Sequence, residues 1–156
     1  MTQAAIAAPM ATPTRNVSVI AGRTMSGLVI AFLILDATMK LPPLQPVVDT
    51  MAQLGWPSDA ATARTLGLIM LGSVLLYAYP PTALLGAILI TGYLGGAVAT
   101  HARIGSPLFT HTLFGVYIGL LAWGGLFLRD PRVRALLLAR RARRVGLAAT
   151  PLRRET

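Results

Sequence analysis

Asp36 and Lys40 stand four residues apart in Leu35-Asp-Ala-Thr-Met-Lys-Leu41, at the end of an otherwise apolar stretch. That spacing puts both side chains on one face of a helix. A charge inside a membrane span costs a few kcal/mol on insertion scales. The two therefore either neutralise one another, with the lysine snorkelling to the interface, or form a polar site facing a bundle interior. The chain's two histidines, His101 and His111, and Arg103 between them, supply the remaining polar chemistry. A histidine near a carboxylate can shuttle protons around neutral pH. Two histidines also raise a metal or a bis-histidine haem. Both are disfavoured, because carboxylates are scarce and both histidines fall at a membrane edge rather than mid-span; histidines anchored in an interfacial loop are the plainer reading. Tyr93, Tyr117 and Trp123 lie deeper, where aromatics usually pack but where a quinone or a lipid headgroup could stack.

No nucleophile and base occur at a local spacing, and there is no phosphate loop, dinucleotide fingerprint or HExxH. The chain has no cysteine, which excludes disulfide exchange, thiolate-held metal, Fe–S clusters and covalent c-type haem. Self-contained catalysis is not expected.

The elements that must position these residues are membrane spans. Apolar stretches fill 25–35, 66–79, 83–99 and 112–128, and each with its flanks approaches the roughly 20 residues that cross a hydrocarbon core about 30 Å thick. The chain has 156 residues, 54% of them hydrophobic and 12% charged, with a mean hydropathy of +0.65. That is about half the charge of a soluble domain. The expected fold is all-α: an antiparallel four-helix transmembrane bundle over 23–128, with helices at about 23–41, 60–79, 82–100 and 110–128. A flexible tail over 1–22 precedes it, without the pattern of a secretory signal, and a basic tail over 129–156 follows. Pro42 and Pro43 stop the first helix. Val47 to Leu54 suits a short interfacial helix, with Trp56 at the headgroup level. Ser58 or Asp59 can cap the second span, and Pro80-Pro81 links it to the third in a tight hairpin. Asp130-Pro131 restarts a weakly amphipathic helix over about 131–145.

The net charge is +9, and nine of the fourteen basic residues lie after Leu128. By the positive-inside rule both termini face the cytoplasm. The tail arginines suit an anionic lipid surface; nucleic acid is not expected, since no aromatic interleaving or reader fold accompanies them. Small residues four apart, Gly92-x-x-x-Gly96-x-x-x-Thr100 and Gly115-x-x-x-Gly119, suggest close helix packing within the chain, with a homodimer seam as the alternative. The helix directions bring Asp36, Lys40, His101, Arg103 and His111 to one outer layer. Asp36, Lys40, His101 and His111 are expected to face a shared cavity rather than lipid.

Three segments carry a resemblance. Leu85-Gly-Ala-Ile-Leu-Ile-Thr-Gly-Tyr-Leu-Gly-Gly-Ala-Val-Ala-Thr-His101, Pro107-Leu-Phe-Thr-His111 and Trp123-Gly-Gly-Leu-Phe-Leu-Arg-Asp130, together with the Asp36/Lys40 segment, resemble the DoxX-like family of small four-helix bacterial membrane proteins. The resemblance covers about 23–134. It implies an inner-membrane bundle but no settled activity, and no catalytic residue transfers from it. Distant relatives are named for a subunit of a thiosulfate–quinone oxidoreductase. The leading expectation is therefore an accessory subunit serving a membrane oxidoreductase, with a quinone as the cofactor class that fits. The alternatives are a small-molecule binder or transporter using the same polar layer, and a structural or stress-related membrane protein without a ligand.

Overall fold

The computed structural model describes residues 14–138, and among them all regular structure is helical. Five helices of nine or more residues follow in order: α1 (Thr14–Lys40), α2 (Gln45–Gln53), α3 (Ala60–Ala78), α4 (Ala83–Arg103) and α5 (Phe114–Arg129). A further helical segment covers 131–138. Four helical stretches have the length and hydropathy of membrane spans: Val17–Lys40, Ala60–Ala78, Pro80–Arg103 and Leu108–Arg129.

The long helices pack as a ring in the order α1, α3, α4, α5 and back to α1. Neighbours run antiparallel because each connection returns the chain to the end it left. Side chains such as Leu33, Met70, Val74, Ile90 and Leu126 fill the centre, while Leu28, Leu68, Leu85 and Leu120 face outward and exposed. An apolar exterior is what hydrocarbon surroundings permit, since lipid exacts no cost for exposed leucine.

Local sequence sets the helix ends. Asp59 caps α3 through Oδ1, which accepts from Thr62 N at 2.8 Å, and through Oδ2, which accepts from the Thr62 hydroxyl at 2.7 Å. Those bonds favour the ionised form and hold its pKa below the usual aspartate value. Pro80 and Pro81 end α3 and form a 3-10 turn through Thr82, where the Thr82 hydroxyl donates to Leu76 O at 2.8 Å. Beyond α4, Gly105 takes a φ of +67° that a side chain would resist, and Leu108–Thr112 forms one turn of π-helix before α5.

Three boundaries differ from expectation, one of them the end of α4, which runs to Arg103 rather than about Thr100, so that His101 and Arg103 are helical. Helix α1 begins at Thr14 rather than near Arg23, so part of the expected N-terminal tail is helical; residues 1–13 lie outside the described region. The fourth long helix begins at Phe114, because the π-helical turn occupies the expected start. The segment 131–138 is helical as read, while the remainder of the expected helix, with Arg140, Arg141, Arg143 and Arg144, lies outside the described residues.

The glycine pattern behaves differently from its expected role. Gly86 on α4 lies against the backbone of Leu76 and Tyr77, where a Cβ has no room. Gly22 and Gly125 bring α1 and α5 together: a Cβ at Gly22 would stand 2.7 Å from Arg129 N, and one at Gly125 2.6 Å from Ser26 Oγ. Gly115 likewise faces Leu94 O at 3.1 Å. At Gly92, Gly95 and Gly96, however, a Cβ would meet nothing within 4 Å. The Gly92/Gly96 spacing is therefore not a packing seam within the chain. It empties a volume instead of closing one.

Candidate functional site

At the end of the bundle where α1 and α4 finish, the core gives way to a cavity of about 560 Å³. All four spans contribute: Phe32, Leu33, Asp36 and Lys40 from α1, Leu66 and Met70 from α3, Gly92 to His101 in part from α4, and Phe114 and Gly115 from α5. Helix α2 and the turn after it provide a cover. Pro46, Val47, Thr50, Met51, Leu54 and Trp56 line the space. Val47, Thr50, Met51 and Leu54 recur at helical spacing, so one face of α2 meets the cavity.

Asp36, Lys40, His101 and His111 all line this one cavity. The Lys40 ammonium donates to Asp36 Oδ1 at 2.6 Å. Lys40 is the more enclosed of the two, with its side chain 16% exposed against 35% for Asp36. Gly67 on α3 lets α1 approach beneath the pair: a Cβ there would lie 3.0 Å from Lys40 Cβ and 3.1 Å from Ala37 O. Helix packing, as well as the spacing of the two residues, therefore fixes the position of Lys40.

The histidines face each other with ring centroids 5.9 Å apart and planes tilted by 56°. His101 Nδ1 pairs with the Ser106 hydroxyl at 3.0 Å, and His111 Nδ1 with the Thr110 hydroxyl at 2.8 Å. Each ring therefore uses Nδ1 locally, and its tautomer depends on which way the hydroxyl points. No hydrogen bond among the described residues engages either Nε2. The π-helical turn makes the arrangement possible: Thr112 N bonds to Pro107 O at 3.2 Å, bringing His111 back towards the end of α4.

Arg103 stands apart from the other four. Its Nη2 donates to Leu54 O at 2.7 Å and lies beside Gly55, whose φ of +70° makes the turn after α2. It pins the cover rather than lining the cavity. Arg64 acts similarly, with Nε donating to Leu41 O at 3.2 Å.

Of the deeper aromatics, Tyr93 lines the cavity. Tyr117 is 43% exposed and does not line it. Trp123 faces a separate apolar groove between α4 and α5, where its Nε1 donates to Thr91 Oγ1 at 2.8 Å. Residue-by-residue reading missed the Phe32–Phe114 edge-to-face pair, 5.5 Å between centroids. It also missed α2 as a wall, although the helical spacing of Val47, Thr50, Met51 and Leu54 was a usable signal. Among the described residues no group of three or more His, Asp or Glu is placed to hold a metal ion.

The chemistry available is specific in kind. Apolar and aromatic walls surround the space, and its lining includes an ammonium, a carboxylate and two imidazole rings. Sites for small molecules commonly have this form, a mostly apolar concavity with a few convergent polar groups, at volumes of about 300–1,000 Å³. The model for a family described as DoxX-like matches residues 24–125, a range that contains every residue lining the cavity. No curated protein and no solved structure matches the chain.

Proposed function

The chain belongs to the DoxX-like family, and on that premise we propose that it binds a quinone-type molecule in the cavity and serves a membrane oxidoreductase as an accessory subunit. The observation that carries this reading is the meeting of Lys40, Asp36, His101 and His111 at one end of a space lined by Phe32, Tyr93 and Phe114. A quinone ring has two carbonyl oxygens that accept hydrogen bonds and a flat apolar body. Lys40 and a histidine Nε2–H can donate to the oxygens, and aromatic walls suit the ring. The histidines and Asp36 can also carry the protons that accompany quinone reduction. On this reading the chain holds and orients the quinone, while its redox partner supplies the electrons. The chain sits in a bacterial inner membrane with both termini in the cytoplasm, and the polar cavity opens at the opposite face.

The second reading, binding or transport of another small amphiphile, is favoured by the same enclosed volume and needs no electron transfer. One experiment separates them. The protein is purified in mild detergent and its bound lipids are extracted for mass spectrometry. A Trp123→Phe variant, in which Trp56 is the remaining tryptophan, is then titrated with a short-chain quinone while the fluorescence of Trp56, a cavity-lining residue, is followed. Extracted quinone and saturable quenching, weakened about tenfold or more in Lys40→Met, are expected, the loss of one charge-assisted hydrogen bond. Absence of both signals sinks the quinone reading, and extraction of a different amphiphile establishes the second.

A further inference from the structure

The seams around the cavity are not equivalent. Between α1 and α3, Gly67 admits the backbone of α1 at Ala37 O. Between α4 and α5, Gly115 does the same for Leu94 O. Between α5 and α1, Phe32 and Phe114 meet edge to face. Along the remaining seam, between α3 and α4, Gly86 abuts Tyr77 at the far end. At cavity level α4 presents Gly92 and Gly96, both exposed and both with open space where a side chain would stand.

Helical geometry shows where that opening leads. Leu85, Leu89, Gly92 and Gly96 follow one another at spacings of four, three and four, which keeps them on one face of α4. Leu85 and Leu89 are 50% and 43% exposed and belong to the lipid-facing exterior. Gly92 and Gly96 also line the cavity. The same helix face is thus bilayer surface in one half of α4 and cavity wall in the other.

We infer that the cavity opens sideways into the bilayer across Gly92 and Gly96, and that this window carries the hydrocarbon tail of a ligand whose polar head lies among Lys40, His101 and His111. The inference rests on the ligand-binding reading above and deepens it: the ligand is an amphiphile with one apolar tail, taken up from the membrane. A water-soluble molecule would need no such path. The window itself is walled by Gly92 and Gly96, which line the cavity and have no side chain to offer a polar group, so an alkyl or isoprenoid chain is the chemistry that suits it. The tail would lie over two glycines that offer no side chain to displace it.

The geometry also supplies a control. Gly95 is as unobstructed as its neighbours, yet it lines the adjoining groove beside Trp123, which meets the cavity at Leu94, Val98 and Gly115 but does not include Gly92 or Gly96. Wild type, Gly92→Leu, Gly96→Leu and Gly95→Leu are placed in lipid nanodiscs. Each carries Trp123→Phe in addition, so that Trp56 is the remaining tryptophan, and is titrated by Trp56 fluorescence with two probes, a quinone headgroup without a tail and the same headgroup with a ten-carbon tail. Leucine at 92 or 96 should weaken the tailed probe by about tenfold, the effect of displacing roughly two buried methylenes. The tail-less probe should change by less than about twofold, and Gly95→Leu should affect neither. If both probes weaken equally in Gly92→Leu and Gly96→Leu, or neither weakens, the tail path is wrong while the binding site stands. A matching effect of Gly95→Leu likewise overturns it. If wild type binds neither probe, the quinone reading itself has failed.

Discussion

The two ends of the bundle are built from the same kinds of residue and reach opposite results. At the end where α3 finishes and α4 begins, Tyr77 is completely buried. Its hydroxyl donates to Ala122 O at 2.7 Å and shares a 3.0 Å hydrogen bond with Ser26 Oγ. Arg129 lies 4.8 Å over the Tyr77 ring and donates to Tyr77 O at 2.8 Å. Gly22, Gly86 and Gly125 press backbones together around this knot. At the other end Gly92 and Gly96 line a cavity, and the polar groups converge on its space. A glycine in a span is therefore not a packing signal in itself. It permits close approach, and whether a neighbour uses the room depends on the partner helix.

The sharpest way to break this contrast is to put one side chain at each end. Gly86→Leu should destabilise the protein by about 3 kcal/mol or more, because its clash is with backbone that cannot turn aside. Gly92→Leu should leave stability within about 0.5 kcal/mol. Unfolding measured in bicelles would check both, and equal losses would erase the distinction between a packed end and an open one.

The ion pair gives the next largest effect. Asp36→Asn leaves the largely enclosed Lys40 ammonium without its anion and should cost about 2 kcal/mol, in the range of hydrogen bonds to charged groups. Adding Lys40→Met should restore most of that, as the double-mutant cycle requires for a coupled pair. If Asp36→Asn instead leaves stability unchanged and removes only ligand binding, the carboxylate serves the site alone. At the packed end, Tyr77→Phe should cost about 1 kcal/mol, the usual scale of an interhelical hydrogen bond in a membrane protein. That value should persist whether or not ligand is present, whereas the Asp36 effect should change on saturation.

The smallest effect lies outside the spans. The Asp59 carboxyl has its pKa lowered by its bonds to Thr62. It therefore contributes stability above the ordinary aspartate range, near pH 4, and loses it as the pH falls through the lower folded value. Asp59→Asn, which keeps a capping oxygen, should flatten that part of the stability–pH curve. An unchanged curve would mean the cap contributes nothing measurable.

Much of this organisation was legible in the sequence, for reasons that also explain what was not. Span positions follow from hydropathy, and the proline pairs at 42–43 and 80–81 punctuate the chain by removing backbone donors. The levels of Asp36, His101 and His111 follow from helix direction alone, so their meeting in one layer could be anticipated. The role of Arg103 could not, because its partner is the carbonyl of Leu54, and a backbone acceptor leaves no trace in residue types. The contrast between Gly86 and Gly92 was likewise invisible, since both are glycines of one helix and only the facing helix distinguishes them. The π-helical turn at Leu108–Thr112 displaced a boundary for a related reason: its extra residue per turn is set by how Thr112 reaches Ser106 and Pro107, not by composition.

That Asp36 and Lys40 belong to the same helix bears on how the protein is made. In the folded ring α1 packs against α3 and α5, and α5 is the last of the four spans among the described residues to be synthesised. A carboxylate awaiting a cation on α5 would enter the bilayer unpaired and remain so for most of translation. The i,i+4 bond instead forms as soon as one turn of α1 exists. Asp36 and Lys40 can leave the translocation channel already paired, and they are in place before the walls that will enclose them have been made.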